Sequence, residues 1–160
     1  GGIGILATLV LREYPLPRIV VMDVDLNKLK LVQSFGLPGV EVCDDHNALN
    51  EEFDIVVEAA GQAATLTETP RLAAPAGHIV CLGHQKKAEL DFSAVIAKSL
   101  TIHASNGSTG NFAKAMQIIM KHQTIVKNLI TATVPLVNAA DYISNEMSAA
   151  QNIKVVIDLR

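Results

Sequence analysis

The residues best suited to chemistry stand at the start of the chain. Gly1, Gly2, Ile3 and Gly4 run straight into the apolar segment Ile5–Leu11, and Asp23 follows Gly4 by 19 positions at the end of a β-branched run. A glycine turn that opens a helix, with an acid about 20 residues on, is the right half of a dinucleotide-binding pattern, Gly-x-Gly-x-x-Gly after a strand. Gly1 and Gly4 fit its second and third glycines. The first glycine and its strand are expected just before residue 1. A helix N-terminus offers unpaired N–H groups and partial positive charge, which suit a diphosphate. Glycine at position 1 lets that diphosphate approach the backbone, and Gly4 is expected to let the helix pack close to a strand. Asp23 can accept hydrogen bonds from the adenosine ribose and would repel a 2′-phosphate, so it selects NAD over NADP. Asp25 competes for that role, or serves only as a helix cap. Lys28, one turn on, can reach the ribose or adenine edge or stand as a solvated surface charge.

The other reactive types are sparse. Cys43 and Cys81 are too few and too far apart for a disulfide scaffold or a zinc quartet. Each lies in or beside an apolar run and reads as a buried free thiol. His46, His78, His84, His103 and His122 show no metal-binding spacing and read as strand-end or surface histidines. The net charge of −3 gives no basic field for nucleic acid. No apolar run approaches a membrane span and no leader is visible, so a soluble cytoplasmic protein is expected.

The elements that must position these residues follow from the 160-residue length and from a composition 49% hydrophobic and 18% charged, which favour one domain built on a sheet buried on both faces. The pattern predicts a helix over Ile3–Tyr14, apolar almost all round, ended by Pro15 and Pro17. Arg18–Val24 reads as a central parallel strand. A helix follows with Leu26, Leu29, Val32 and Phe35 as its candidate buried face, stopped by Gly36. Strands are expected at Val40–Cys43, Phe53–Gly61, Gly77–Gly83, Leu100–Ala104, Leu129–Val134 and Ile153–Ile157. Residues 44–50 read as a polar loop with one helical turn. Helices are expected at Ala64–Ala74, kinked or broken by Pro70, at Ser93–Lys98, at Asn111–Gln123 with Phe112, Ala115, Ile118 and Ile119 in one stripe that His122 could extend, and at Asn138–Met147 with Ala139, Ala140 and Ile143 inward. The alternation predicts an α/β, Rossmann-type doubly wound parallel sheet with helices on both faces.

In this order and spacing the chain resembles the coenzyme-binding half of the zinc-type medium-chain dehydrogenases, the family of alcohol, sorbitol and threonine dehydrogenases. Gly1–Ala7 resembles the family's glycine turn and first helix. Val20–Gly36 resembles its next strand and helix, with the interval from Asp23 to Gly36 matched. Phe53–Gly61 resembles the D-V-V-x-E-x-x-G strand, Gly77–Gly83 the G-G-x-x-x-x-x-G strand, and Ile153–Asp158 the last strand. The likeness covers nearly all 160 residues.

Position by position, the resemblance implies that Ala60 and Gly61 lie near the adenine side or the cofactor's bridging region. It implies that Leu82, Gly83 and His84 present backbone groups to the nicotinamide carboxamide, and that Lys154 lies near the diphosphate. Glu58 fits the family pattern without an assigned role. The resemblance implies hydride transfer between a secondary alcohol and NAD in an intact parent, with catalytic zinc held by an N-terminal domain absent from these residues. The 160 residues alone are then expected to be inactive. The alternative is a stand-alone nucleotide-binding or regulatory module; a zinc-independent quinone reductase using NADPH is disfavoured by Asp23. The family's first strand is central, so its absence leaves a gap between the second and fourth strands. Leu100–Ala104 is expected at the outer edge, where the family pairs subunits, so a homodimer or tetramer is expected through it. The loop 105–110 is a candidate for substrate determinants.

Overall fold

The helix α1 (Gly2–Leu11) begins directly on the glycine turn, with Gly1 as its N-cap. A computed structural model of the chain describes residues 1–49, 53–85, 87–107, 110–147, 149 and 151–160. The chain forms two compact units. One holds Gly1 and Ile3–Gly110, the other Asn111–Arg160 together with Gly2.

In the first unit, α1 buries Ile5, Thr8 and Leu9, one helical face, while Ile3, Leu6 and Val10 are exposed. The helix, apolar almost all round, is thus buried along one stripe. An unbroken apolar run carries no period, so the sequence did not mark the face. The helix also ends three residues early, at Leu11. Strand β1 (Ile19–Met22) leads to α2 (Leu26–Ser34), which is capped by Asp25: its carboxylate accepts the Asn27 N–H at 2.9 Å. Leu29 and Val32 are the buried face of α2, whereas Leu26 is exposed and Phe35 half-buried. Strand β2 (Val40–Cys43) and a 3-10 turn (His46–Ala48) follow where expected.

Strand β3 (Phe53–Glu58) precedes α3 (Ala63–Leu72). Pro70 falls in the last turn of α3, so the break is the helix end itself. Proline has no N–H for the Leu66 carbonyl, and the Thr69 hydroxyl donates to that carbonyl instead, at 2.7 Å. Lys98 Nζ reaches the carbonyls of Pro70, Arg71 and Ala73, at 3.3, 3.1 and 2.8 Å, over the same helix end. Strand β4 (Ala73–Cys81) starts earlier than expected, but its register with β3 jumps from Phe53↔Ala73 to Ile55↔His78. The regular ladder is His78–Cys81, the segment the sequence marks. Helix α4 (Phe92–Ala97) is capped by Asp91, and β5 (Thr101–Ala104) completes the unit.

All ladders are parallel. β1 pairs with β2, and β3, β4 and β5 form a sheet in that order, with β5 at its edge and all four of its residues exposed. Among the described residues no ladder joins β1 to β3, the position that the doubly wound order gives to its first strand. β1, expected as a central strand, therefore has a strand on one side only.

The second unit holds α5 (Phe112–Lys121), α6 (Gln123–Asn128), β6 (Ile130–Pro135), a 3-10 turn (Leu136–Asn138), α7 (Ala139–Asn145) and β7 (Lys154–Asp158), with β6 and β7 parallel. The sequence missed α6. His122 leaves helical geometry between α5 and α6 (ψ +27°) with no glycine or proline to signal it. In the stripe of α5, Phe112 is 72% and Ile119 37% exposed. On α7, Ala139 is buried, but Ala140 and Ile143 are exposed, correcting the expected inward face. No helix among the described residues is long and apolar enough to cross a membrane.

Candidate cofactor site

The C-terminal ends of parallel strands and the N-terminus of α1 supply the candidate site, the usual location in open α/β sheets. Asp23 follows β1, and its Oδ2 lies 2.7 Å from the Gly1 amino nitrogen. Its Oδ1 accepts the Asp25 N–H at 3.0 Å. The glycine turn and the acid, 22 residues apart in sequence, thus meet. Burial pushes the Asp23 carboxyl up, but the hydrogen bonds from the Gly1 nitrogen and the Asp25 N–H, with the charge of Lys28, outweigh it, and the net shift is downward. Gly1, Gly4, Val21, Asp23 and Lys28 line one shallow depression. Lys28 Nζ is 3.4 Å from Asp25 Oδ2, so Asp25 both caps α2 and pairs with this lysine.

A Cβ built on Gly1 would meet nothing within 4 Å, so the backbone there is open to a guest. The first N–H groups of α1 have no acceptor within the helix. This donor set, with an acid beside it, fits a dinucleotide's diphosphate and ribose. At Gly4 the nearest atom to an added Cβ is the Ala59 Cβ at 3.9 Å, ordinary contact.

The second cluster joins the turns after β3 and β4. Ala60 is exposed and Gly61 half-buried, with φ +70°, a left-handed conformation suited to glycine. Leu82 and Gly83 are half-buried and His84 exposed. A Cβ on Gly83 would overlap Glu58 Oε2 and the Gly61 backbone. Glu58, left without a role by the sequence, is 4% exposed and sits between these turns. The available signal was one acid closing an apolar strand immediately before Ala59-Ala60-Gly61, where its carboxylate can turn back onto the following N–H groups. Lys154 begins β7 in the second unit and is exposed.

Two further placements differ from expectation. Cys43 and Cys81 are free but half-buried rather than buried. Burial and then the Glu58 charge push the Cys81 thiol upward. His78 and His103, read separately as ordinary histidines, stack across β4 and β5 with Nδ1 and Nε2 2.9 Å apart. Among the described residues no three His, Cys, Asp or Glu side chains converge to hold a metal ion, so these residues do not fit a zinc site of the three- or four-ligand kind. Ser108 and Thr109, in the loop considered for substrate determinants, lie outside the described residues.

Known proteins agree with this architecture. The L-threonine 3-dehydrogenase of Saccharopolyspora erythraea is 30% identical over 116 residues, covering 67% of this chain and 34% of the relative. The D-xylulose reductase A of Aspergillus oryzae is 24% identical over 172 aligned residues, covering 98% and 48%. A solved structure from Sinorhizobium meliloti, described as a zinc-binding dehydrogenase bound to NADP, superposes with a TM-score of 0.86 at 22% identity, over 98% of this chain and 49% of that one. That likeness shows the Rossmann-type fold. The chain spans about a third to a half of the length of these proteins. The family described as glucose dehydrogenase C-terminus matches residues 1–159, and the chain belongs to that family, within the zinc-type medium-chain dehydrogenases.

Proposed function

We propose that this chain is the NAD(H)-binding domain of a dehydrogenase that transfers hydride between a secondary alcohol and NAD. The observation that carries the proposal is the meeting of Asp23 with the open glycine end of α1, 2.7 Å from Gly1. The N–H groups of residues 1–4 would receive the diphosphate, with no side chain at Gly1 in the way. Asp23 would accept hydrogen bonds from the ribose hydroxyls. Its charge would repel a 2′-phosphate and favour NAD over NADP. The S. meliloti neighbour was solved with NADP, but at its level of identity it informs on fold alone. Ala60 and Gly61 would border the adenine side or bridging region. Leu82, Gly83 and His84 would offer backbone groups to the carboxamide.

When bound, the dinucleotide supplies the hydride acceptor. Threonine- and polyol-type relatives support an alcohol of that class as the parent's substrate. Catalytic zinc would come from the portion of the relatives that this chain does not span, and residues 1–160 alone would bind cofactor without turnover. A second copy would pair through the exposed edge β5 to give a homodimer or tetramer.

Calorimetric titration with NAD and NADP tests the proposal. NAD should bind more tightly, and equal affinity for the two would remove Asp23 from the role given to it.

A further inference from the structure

Glu58 closes β3, and it is the residue on which both turns of the second cluster converge. Its Oε1 accepts three hydrogen bonds, from the Ala60 N–H at 3.0 Å, the Gly61 N–H at 2.9 Å and the Thr65 hydroxyl at 2.6 Å. Its main-chain carbonyl accepts the Leu82 N–H at 2.8 Å and the Gly83 N–H at 3.0 Å. The side chain therefore holds the turn after β3, and the backbone of the same residue holds the turn after β4. The second carboxylate oxygen, Oε2, is buried without a hydrogen-bond partner. Gly83 packs on it so closely that a methyl group would overlap both Oε2 and Gly61.

A carboxylate oxygen buried without a donor is unfavourable for folding. A residue selected for stability alone would not need that oxygen. Three donors on Oε1, by contrast, are what a full negative charge accepts well and a neutral amide accepts poorly. The charge has a use if the two turns must hold a fixed separation.

We propose that Glu58 is a positioning residue that locks the Ala60–Gly61 turn to the Leu82–His84 turn, so that the backbone groups of residues 82–84 are held in register for the nicotinamide end of the cofactor. This rests on the NAD-binding function proposed above and assigns a task to a buried acid whose hydrogen bonds go to the protein's own turns. The glycine corner and Asp23 hold the other end of the dinucleotide. Disturbing Glu58 therefore weakens the nicotinamide end more than the adenine end, which the Ala60–Gly61 turn would only border.

The test uses two probes on the purified chain: NADH, followed by nicotinamide fluorescence, and ADP-ribose, which lacks the nicotinamide, followed by calorimetry. Glu58→Gln keeps the shape, removes the charge and sets an amide NH2 against Gly83. It should raise the Kd for NADH about tenfold and that for ADP-ribose by no more than about threefold. Thr65→Val removes one of the three donors and should raise the NADH Kd about threefold, while Thr65→Ser keeps the hydroxyl and should restore it. If Glu58→Gln does not fold, the Thr65 pair decides. A parallel loss of both probes would mean general loosening and would overturn the positioning role, as would unchanged NADH binding. If the unaltered chain bound neither probe, the NAD-binding function itself would fall, and the role of Glu58 with it; wild-type binding separates the two failures.

Discussion

The two glycine turns of the site use the same residue for opposite reasons. At Gly1 a Cβ would meet nothing within 4 Å, and at Gly4 it would meet only Ala59 at 3.9 Å. At Gly83 it would overlap Glu58 and Gly61. The first turn is open space beside a helix N-terminus. The second is a closed joint, where glycine is required by the protein's own packing. A glycine in a cofactor motif is therefore evidence of function in one turn and of internal fit in the other, and substitution separates the two.

The largest effect is expected at the joint. Gly83→Ala forces apart two backbone segments and a buried carboxylate, and should lower unfolding stability by about 3 kcal/mol. Chemical denaturation measures this, and a loss below about 1 kcal/mol would mean that the joint yields easily. At the open turn the effect should fall on ligand and spare the fold. Asp23→Ser should weaken NAD binding by about 1–3 kcal/mol in calorimetry; unchanged affinity would transfer the ribose contact to Asp25. Smaller still, Gly4→Ala should stabilise the chain by about 0.5 kcal/mol, since a methyl has room there and alanine favours helix. Destabilisation in a thermal melt would show that Gly4 is as confined as Gly83.

The smallest effect is in pH. The carboxyls of Asp23, Asp91 and Asp158 are held below their ordinary values. For Asp91 the hydrogen bonds from the Ser93 hydroxyl and the Ala94 and Ser93 N–H groups outweigh a small opposing effect of desolvation; for Asp158, those from the Arg160 side chain and backbone do so. A carboxyl lowered on folding stabilises the fold above its unfolded value, near 3.9, and that contribution is lost as pH falls through the folded value. Stability should therefore be full above about pH 5 and decline in acid. Asp91→Asn should flatten that decline; an unchanged acid limb would show that the cap of α4 contributes nothing to it.

Much of this was legible before folding. The glycine turn and the acid 19 positions after Gly4 marked the region where Gly1 and Asp23 meet at 2.7 Å. The period of α2 picked out Leu29 and Val32, and the apolar run 77–83 marked the ladder of β4. The misses share a cause. The face of α1, the inward side of α7 and the exposure of the α5 stripe depend on which neighbour is present, and an apolar residue reads the same whether covered or not. Glu58 was visible as an acid at a strand end, but its three donors come from residues 60, 61 and 65 only once the chain has turned back over it.

The amino-acid sequence by itself determined the order of elements apart from α6, the parallel α/β architecture, the glycine turn and its acid, because each rests on local geometry: helical period, β-branched runs, glycine turns and caps. Only the tertiary structure decided that Gly83 is locked onto Glu58, that Gly4 has room to spare, and that His78 stacks on His103. Those contacts join residues about 20 or more positions apart across parallel strands, and their distances are set by the register of the sheet, which no local pattern records.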